Sequence, residues 1–485
     1  MSAALPSFHD LKHVHIIGVC GTLMGAFAAF LKRKGIEVTG SDQNVYPPMS
    51  DVLSKAGVKL FSGYAAENLT GLPKRPDLVV IGNVISRGNP EAQAAMDGKY
   101  AYTSLPEAME KLLLSKTRNL VVAGTHGKTT TSSVLAYVLS AAGRDPNYFI
   151  GGVSHDLPNS FHVPSIESGK LFVLEGDEYD TAFWDKVPKF SHYLPDDVIL
   201  TSVEFDHADI YADFAAVEKA FASLVDRIRS NGRLIACFDY SSVRELVKRA
   251  KVPVISYGTE TSSGARFIAA NIRTENGGIL AFDVVDSGKS QGTLRLHLPG
   301  KHNALNALAV WIECRELGLS HDEIAKGLAA FQGVKRRQEE RGEIGGVLVI
   351  DDFAHHPTAV RETLRALRAK YPGRRLVSVF EPRSATSRRK IFQKDYGQAF
   401  LEGDSCYIAV PYDQSKIAAA DQFSSEQLVD DIRGLGRTAA FFRDTDEGVR
   451  TVASEAKSGD LIAVLSNGGF GGFIPKLLEA LRARR

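Results

Sequence analysis

The chain has 485 residues, room for about three domains at roughly 150 residues each, which excludes a small single-motif protein. Its 58 basic and 57 acidic residues leave a net charge of +1, so no global field draws it to nucleic acid or an anionic membrane, and any anion it binds must be held locally. Apolar residues at 44% and charged ones at 24% exclude a disordered chain.

Cys20, Cys237, Cys314 and Cys406 lie far apart with no C-x-x-C pair, so neither a disulfide framework nor a zinc knuckle is written here. No apolar run nears the roughly 18 residues that span a bilayer, and the start MSAALPSFHDLK lacks the layout of a secretory signal. The expectation is a cytoplasmic protein with no membrane contact, no nucleic-acid partner and no obligate protein partner.

Short apolar runs alternate with helical patterns throughout, the signature of parallel sheets covered by helices, and the fold class is read as α/β in three domains. In residues 1–115, VHIIGVCG from Val14 is a strand, Met24 to Lys34 a helix closed by Gly35, IEVTGSD a second strand and DLVVIGNV from Asp77 a later one; LLLSKTRN reads as the linker out. Residues 116–332 open with strand NLVVA at Asn119 and contain LFVLEGDE, DVILTSVEF and the helical HNALNALAVWIECREL. Residues 333–485 open with VLVIDDF and continue through RRLVSVFEP, SCYIAVP, TAAFF and DLIAVLSNGG, each followed by a helical stretch, as in a second doubly wound sheet.

The segment Ala123 to Thr131, AGTHGKTTT, stands between an all-apolar strand and an amphipathic helix, the setting of a phosphate loop. Gly124 and Gly127 let backbone amides turn inward, and Thr125 and His126 lie between them; the positive end of the helix faces the phosphates, Lys128 adds a mobile cation, and Thr129 and Thr130 follow it. ATP is the expected ligand, with the Thr129 hydroxyl placed to meet magnesium. Magnesium needs further oxygen ligands, and two acidic strand ends supply candidates: Glu175, Asp177 and Glu178, then Glu204, Asp206 and His207. His302, Asn303 and Asn306 open a helix after the turn L-P-G; Lys335-Arg336-Arg337 lie at the second boundary, and Asp351-Asp352 end a strand before His355 and His356. These clusters at hinges and strand ends predict a cleft between domains.

In this order, G-T-H-G-K-T-T, E-x-D-E, D-H-x-D, H-N-x-x-N, R-R and D-D-x-x-H-H-P resemble the Mur ligases of peptidoglycan synthesis across nearly the whole chain. The segments GVCGTLMG, GSDQNVYPPMS, SRGNP, EFDHADI, DDFAHHPTA and SNGGFGG are most similar to members of that family that recycle cell-wall peptides. The resemblance implies an N-terminal Rossmann-like domain for a UDP-sugar, a central phosphate-loop ATPase domain on a parallel sheet, and a C-terminal Rossmann-like domain that closes on ATP and receives the peptide. It implies that Lys128 and its loop hold ATP, that Glu175 and His207 bind magnesium, and that these three are catalytic. Asn303 and Asn306 are implied at the adenine, and Arg337 and Asp352 at phosphates and ribose.

The implied reaction joins UDP-N-acetylmuramate to a muropeptide tripeptide, L-alanyl-gamma-D-glutamyl-meso-diaminopimelate, through an acyl phosphate, with addition of free L-alanine as the alternative. Two departures stand out: Gly176 makes the acidic motif E-G-D-E instead of E-A-D-E, and Gln338 follows Arg337 where the family usually carries an apolar residue.

Gly18, Gly21 and Thr22 start the first helix, with Asp42 ending the next strand, an arrangement suited to a sugar-linked diphosphate. A dehydrogenase is the rival reading, but Cys20 and Leu23 stand where its fingerprint needs glycine. A non-enzymatic ATP switch is the other, opposed by the paired acidic strand ends. Arg383, Arg388 and Arg389 follow a strand end and, on a helical segment, would face the cleft to read peptide carboxylates.

Overall fold

The computed structural model describes residues 5–45 and 49–484; the Tyr46-Pro47-Pro48 part of the segment from Gly40 lies outside them. Three sheets organise the chain. The first has five parallel strands, in spatial order Lys59–Ser62, Glu37–Asp42, His13–Ile17, Leu78–Ile81 and Tyr102–Ser104. The chain reverses its winding between the strands His13–Ile17 and Leu78–Ile81, and in an open parallel sheet ligands gather in the crevice outside such a point. Gly18 and the helix Thr22–Arg33 stand there.

The central sheet has ten strands, with Arg118–Ala123 between Asp197–Leu200 and Leu171–Gly176, all three parallel. This core agrees with the expected parallel ATPase sheet. The strands Phe267–Glu275, Ile279–Asp286 and Lys289–Leu296 extend it as an antiparallel meander that the alternation of strand and helix did not reveal. The helix Lys301–Glu316, buried from Asn303 to Cys314, packs beside the phosphate-loop helix Lys128–Ala141.

The third sheet runs Glu339–Ile344, Val347–Asp352, Asp460–Leu465, Arg375–Phe380, Ser405–Ala409 and Thr438–Phe442, parallel except for its first strand. That antiparallel edge strand precedes VLVIDDF, where the sequence reading began the sheet.

The expected linker LLLSKTRN is one only from Ser115 to Thr117. Leu112, Leu113 and Leu114 are buried in a helical turn that continues the helix Leu105–Met109, and they belong to a core that crosses from the first sheet to the second. Three adjacent leucines are too apolar to run over the surface. The same shared core stacks Phe161 edge-on against Phe27 at 5.8 Å and Phe30 at 4.9 Å, so the first two sheets form one packed body. The third sheet has its own cores on its two faces and meets the rest at the cleft through polar contacts and the ring pair Phe205–Phe392.

Candidate active site

A cleft of about 880 Å³ opens where the carboxyl ends of all three sheets converge. Its floor is the phosphate loop. Gly124 has φ +139° and Gly127 φ +82°, backbone geometry that side chains rarely adopt. A Cβ at Gly124 would lie 2.1 Å from Thr201 Oγ1 and 2.8 Å from the Ser202 backbone, and one at Gly127 would lie 2.7 Å from Asn306 Oδ1. Both glycines are therefore required by close approach as well as by φ.

Lys128 Nζ donates to the Gly124 carbonyl at 2.7 Å and to Glu178 Oε1 at 2.9 Å. The same Glu178 oxygen stands 2.9 Å from His207 Nε2. Burial alone would lower the Lys128 and His207 pKa values, but Glu178 together with the neighbouring carboxylates outweighs it and raises both. Burial likewise pushes the Glu178 carboxyl up, and Lys128 and His207 overcome that and hold it below the ordinary range. Glu178 Oε2 is buried without a partner.

Beside this triad Thr129 Oγ1 donates to Glu175 Oε1 at 2.7 Å, the Gly151 amide donates to Glu175 Oε2 at 2.7 Å, and Arg337 donates to Thr129 Oγ1 at 3.3 Å. Burial raises the Glu175 pKa, which the hydrogen bonds only partly offset. Asp177 is held at about 2: burial opposes ionisation, and Lys189 at 2.6 Å overrides it. Gly176 has a packing reason, since a Cβ there would come within 3.0 Å of the Ala123 Cβ and Val121 Cγ1 on the neighbouring strand.

Thr125, His126, Gly127, Lys128, Thr129, Thr130, Glu175, His207, Asn303, Asn306, Arg337 and Asp352 all border this one cleft, as do Gly21 and Thr22 from the first domain. Asn303 and Asn306 are engaged with their own helix: Asn306 donates to Asn303 Oδ1 at 3.2 Å and Asn303 to the Pro299 carbonyl at 2.7 Å. Asp352 accepts from the Gln338 and Ala354 amides, both at 2.8 Å, and so braces the hinge that carries Arg337. Gln338 itself has φ +54°, and its amide stands 3.3 Å from His302, whose pKa burial lowers to about 4.

Other expected residues stand elsewhere. Gly18, φ +85°, forms the turn behind the cleft wall. Asp42 accepts from the Cys20 amide at 2.9 Å and the Asn44 amide at 3.0 Å; it braces the glycine turn with both oxygens occupied.

The residues Arg383, Arg388 and Arg389 do not border the cleft. Residues 385–388 form turns and Arg389 a β-bridge instead of the expected helix, which disposes the three side chains differently. The Arg383 guanidinium lies 3.8 Å over the Tyr412 ring and 3.3 Å from Glu381, Arg388 caps the Asp413 carbonyl, and Arg389 pairs by backbone with Gln422.

One contributor, Asn83, is absent from the expected set, and two others, Glu178 and Glu204, stand in it only as strand-end acids. Asn83, just past the strand Leu78–Ile81, lines the cleft together with Gly21; its signal is its place beside the reversal of winding. Glu178 was visible as one of three strand-end carboxylates, but nothing in their spacing distinguished it as the partner of Lys128. Glu204 accepts from Thr358 of the third domain at 3.1 Å and pairs with His126 at 2.7 Å, holding its own pKa at about 2 even though burial raises it.

His126, Glu204 and His356 gather polar atoms within 4.8 Å, but His356 Nδ1 accepts from the Thr358 amide at 3.2 Å, which leaves its proton on Nε2 and makes it a donor, not a metal ligand.

Comparison with known proteins agrees with this arrangement in all three domains. Residues 13–117 match the family described as Mur ligase family, catalytic domain; residues 122–313 match the Mur ligase middle domain, and residues 336–468 the Mur ligase glutamate ligase domain. The UDP-N-acetylmuramate–L-alanyl-gamma-D-glutamyl-meso-2,6-diaminoheptandioate ligase of Escherichia coli (strain K12) is 37% identical over 474 residues, 96% of this chain and 98% of that one. A UDP-N-acetylmuramate–L-alanine ligase of Oleidesulfovibrio alaskensis is 34% identical over 94% of this chain and 96% of its own. The crystal structure of a murein peptide ligase from Psychrobacter arcticus 273-4 superposes with a TM-score of 0.71 at 33% identity, covering 97% of this chain and 99% of that one. The dehydrogenase and switch readings fall with these matches, and the chain belongs to the Mur ligase family as an ATP-dependent amide ligase.

Proposed function

We propose that the chain joins L-alanyl-gamma-D-glutamyl-meso-diaminopimelate to UDP-N-acetylmuramate with cleavage of ATP, in the recycling of peptidoglycan. The observation that carries this reading is the single cleft shared by the phosphate loop, the helix entry at Gly21 and the carboxyl ends of the third sheet. Relatives that use the tripeptide reach 37% identity and those that use L-alanine 34%, both over nearly the whole chain.

A carboxylate is a poor electrophile, so its oxygen attacks the γ-phosphorus of ATP, ADP departs with the bonding pair, and an acyl phosphate results. The amine of the acceptor then attacks the acyl carbon, phosphate leaves with the carbon–oxygen pair, and the nitrogen sheds a proton. Lys128, held at the mouth of the loop by Gly124 and Glu178, supplies a fixed positive charge as negative charge shifts among the phosphoryl oxygens. Arg337 adds a second cation from the third domain.

The donor set fits magnesium: the Thr129 hydroxyl and the Glu175 carboxylate are adjacent hard oxygen donors that would hold it, and His207 would join them only after giving up the proton it shares with Glu178. Bound there, magnesium supplies charge neutralisation for the phosphoryl oxygens. Gly21, Thr22 and Asn83 provide the wall for the UDP-sugar, with the Gly18 turn behind it and Asp42 as its brace. Among the described residues no helix is long and apolar enough to cross a membrane. A cytoplasmic location follows from the need for ATP and a nucleotide-linked sugar.

The test is mass spectrometry of the product formed from UDP-N-acetylmuramate, ATP and magnesium with equal amounts of tripeptide and L-alanine. Product carrying the tripeptide is expected; product carrying L-alanine in equal or greater amount overturns the acceptor assignment.

A further inference from the structure

The segment from Glu204 to Ala208 lies between the phosphate loop and the third domain and contacts both. Glu204 bridges His126 of the loop and Thr358 of the third domain. Phe205 meets the Phe392 ring at 6.3 Å. Asp206 accepts from Thr386 Oγ1 at 2.6 Å and stands 3.5 Å from His355 Nε2; Thr386 in turn accepts from the Ala208 amide at 3.2 Å. The next residue, His207, turns the other way, to Glu178 and through it to Lys128. The reversal needs the left-handed backbone of His207, φ +57°, a strained conformation for a residue other than glycine.

Asp206 and Thr386 are 4% and 3% exposed, so their bond is made in a dry interface. Thr386 and His355 follow two different strands of the third sheet, which means that this single carboxylate grips the domain at two strand ends.

We infer that Asp206 and Thr386 are positioning residues that couple ATP cleavage to amide formation, by holding the third domain closed on the acyl phosphate until the amine attacks. The inference rests on the reaction proposed above. An open cleft admits water, whose oxygen attacks the acyl carbon; phosphate leaves with the bonding pair, the carboxylic acid is regenerated, a proton passes to solvent and ATP is spent without product. Loss of one hydrogen bond to a charged group shifts an open–closed balance by about tenfold.

Thr386→Val keeps the shape of the side chain and removes the hydroxyl. The experiment measures phosphate released per amide formed in the parent, Thr386→Val and Thr386→Ser, with ADP affinity measured alongside by calorimetry. The parent is expected to release one phosphate per amide. The valine variant should exceed that ratio by about threefold or more, with ADP affinity within about twofold of the parent, and serine should restore coupling. A merely structural defect lowers phosphate and amide together.

A folded valine variant with the parent ratio overturns the inference at any rate of turnover. If the valine variant does not fold, Asp206→Ala, which removes the acceptor, is measured in the same way, and the parent ratio there overturns it equally. A parent that forms no amide with either the tripeptide or L-alanine overturns the proposed reaction instead, so the two failures are distinguishable.

Discussion

Replacing Lys128 by Met tests the electrostatics of the site in two independent ways. The substitution keeps most of the side-chain volume but removes the cation 2.9 Å from Glu178, a carboxylate side chain only 3% exposed. Stranding one member of a buried pair costs about 3–5 kcal/mol, and the lower end applies here because His207 remains at 2.9 Å to compensate part of the charge.

The cost depends on pH in a definite sense. In the parent, Glu178 is held below its ordinary value of 4.5, so its contribution to stability is present above that value and is lost only as the pH falls through the lower folded value. In the variant, burial is opposed by His207 alone, the carboxyl moves upward, and stability is lost as the pH rises past 4.5. The difference in unfolding free energy between parent and variant should therefore widen from pH 4.5 to pH 7, reaching about 3 kcal/mol in urea titrations without ligands. In the same preparation ligation should fall by about a hundredfold or more, the scale for one pre-organised charge donor. A pH-independent stability difference, or near-parental ligation by folded Lys128→Met, refutes the reasoning.

Replacing His207 by Ala should chiefly raise the magnesium concentration needed for half-maximal rate; overlapping magnesium titrations for variant and parent would contradict a ligand role. Gly124→Ala should cost more than about 3 kcal/mol and abolish nucleotide binding, because its Cβ would fall 2.1 Å from Thr201 Oγ1 in a left-handed conformation; calorimetry with ADP and a melting curve check both parts. Phe161→Ala empties the fully buried seam against Phe27 and Phe30 and should destabilise the first two domains together by about 3–5 kcal/mol, read as one cooperative denaturation shifted to lower urea; a shift confined to one of the two domains contradicts the shared core.

What was legible in the chain was local. The phosphate loop could be read because its glycines, lysine and threonines are contiguous and because the strand before and the helix after are each one run of sequence. Glu175, Glu178, Glu204, Asp206 and Asp352 could be read as strand-end acids for the same reason. The meander from Phe267 to Leu296 left its own signals unused: Asn276-Gly277-Gly278 and Ser287-Gly288 are hairpin turns, with Gly277, Gly278, Ser287 and Gly288 all at positive φ.

The linker reading failed for the leucines of LLLSKTRN because a domain boundary need not be solvated when two domains share a core. The arginines after Phe380 were placed by assuming a helix, and a turn rotates each side chain away from the face a helix would give it. No spacing rule brings Thr386 to Asp206, since the two are 180 residues apart on loops of different sheets, and only the packing of the domains joins them.

The central claim is that this cleft activates a carboxylate by transferring phosphate to it. It is tested most directly by labelling both carboxylate oxygens of UDP-N-acetylmuramate with oxygen-18 and analysing the released inorganic phosphate and the product by mass spectrometry. Transfer through an acyl phosphate places one labelled oxygen in phosphate and keeps the other in the new amide carbonyl. Unlabelled phosphate released in step with amide would contradict the account.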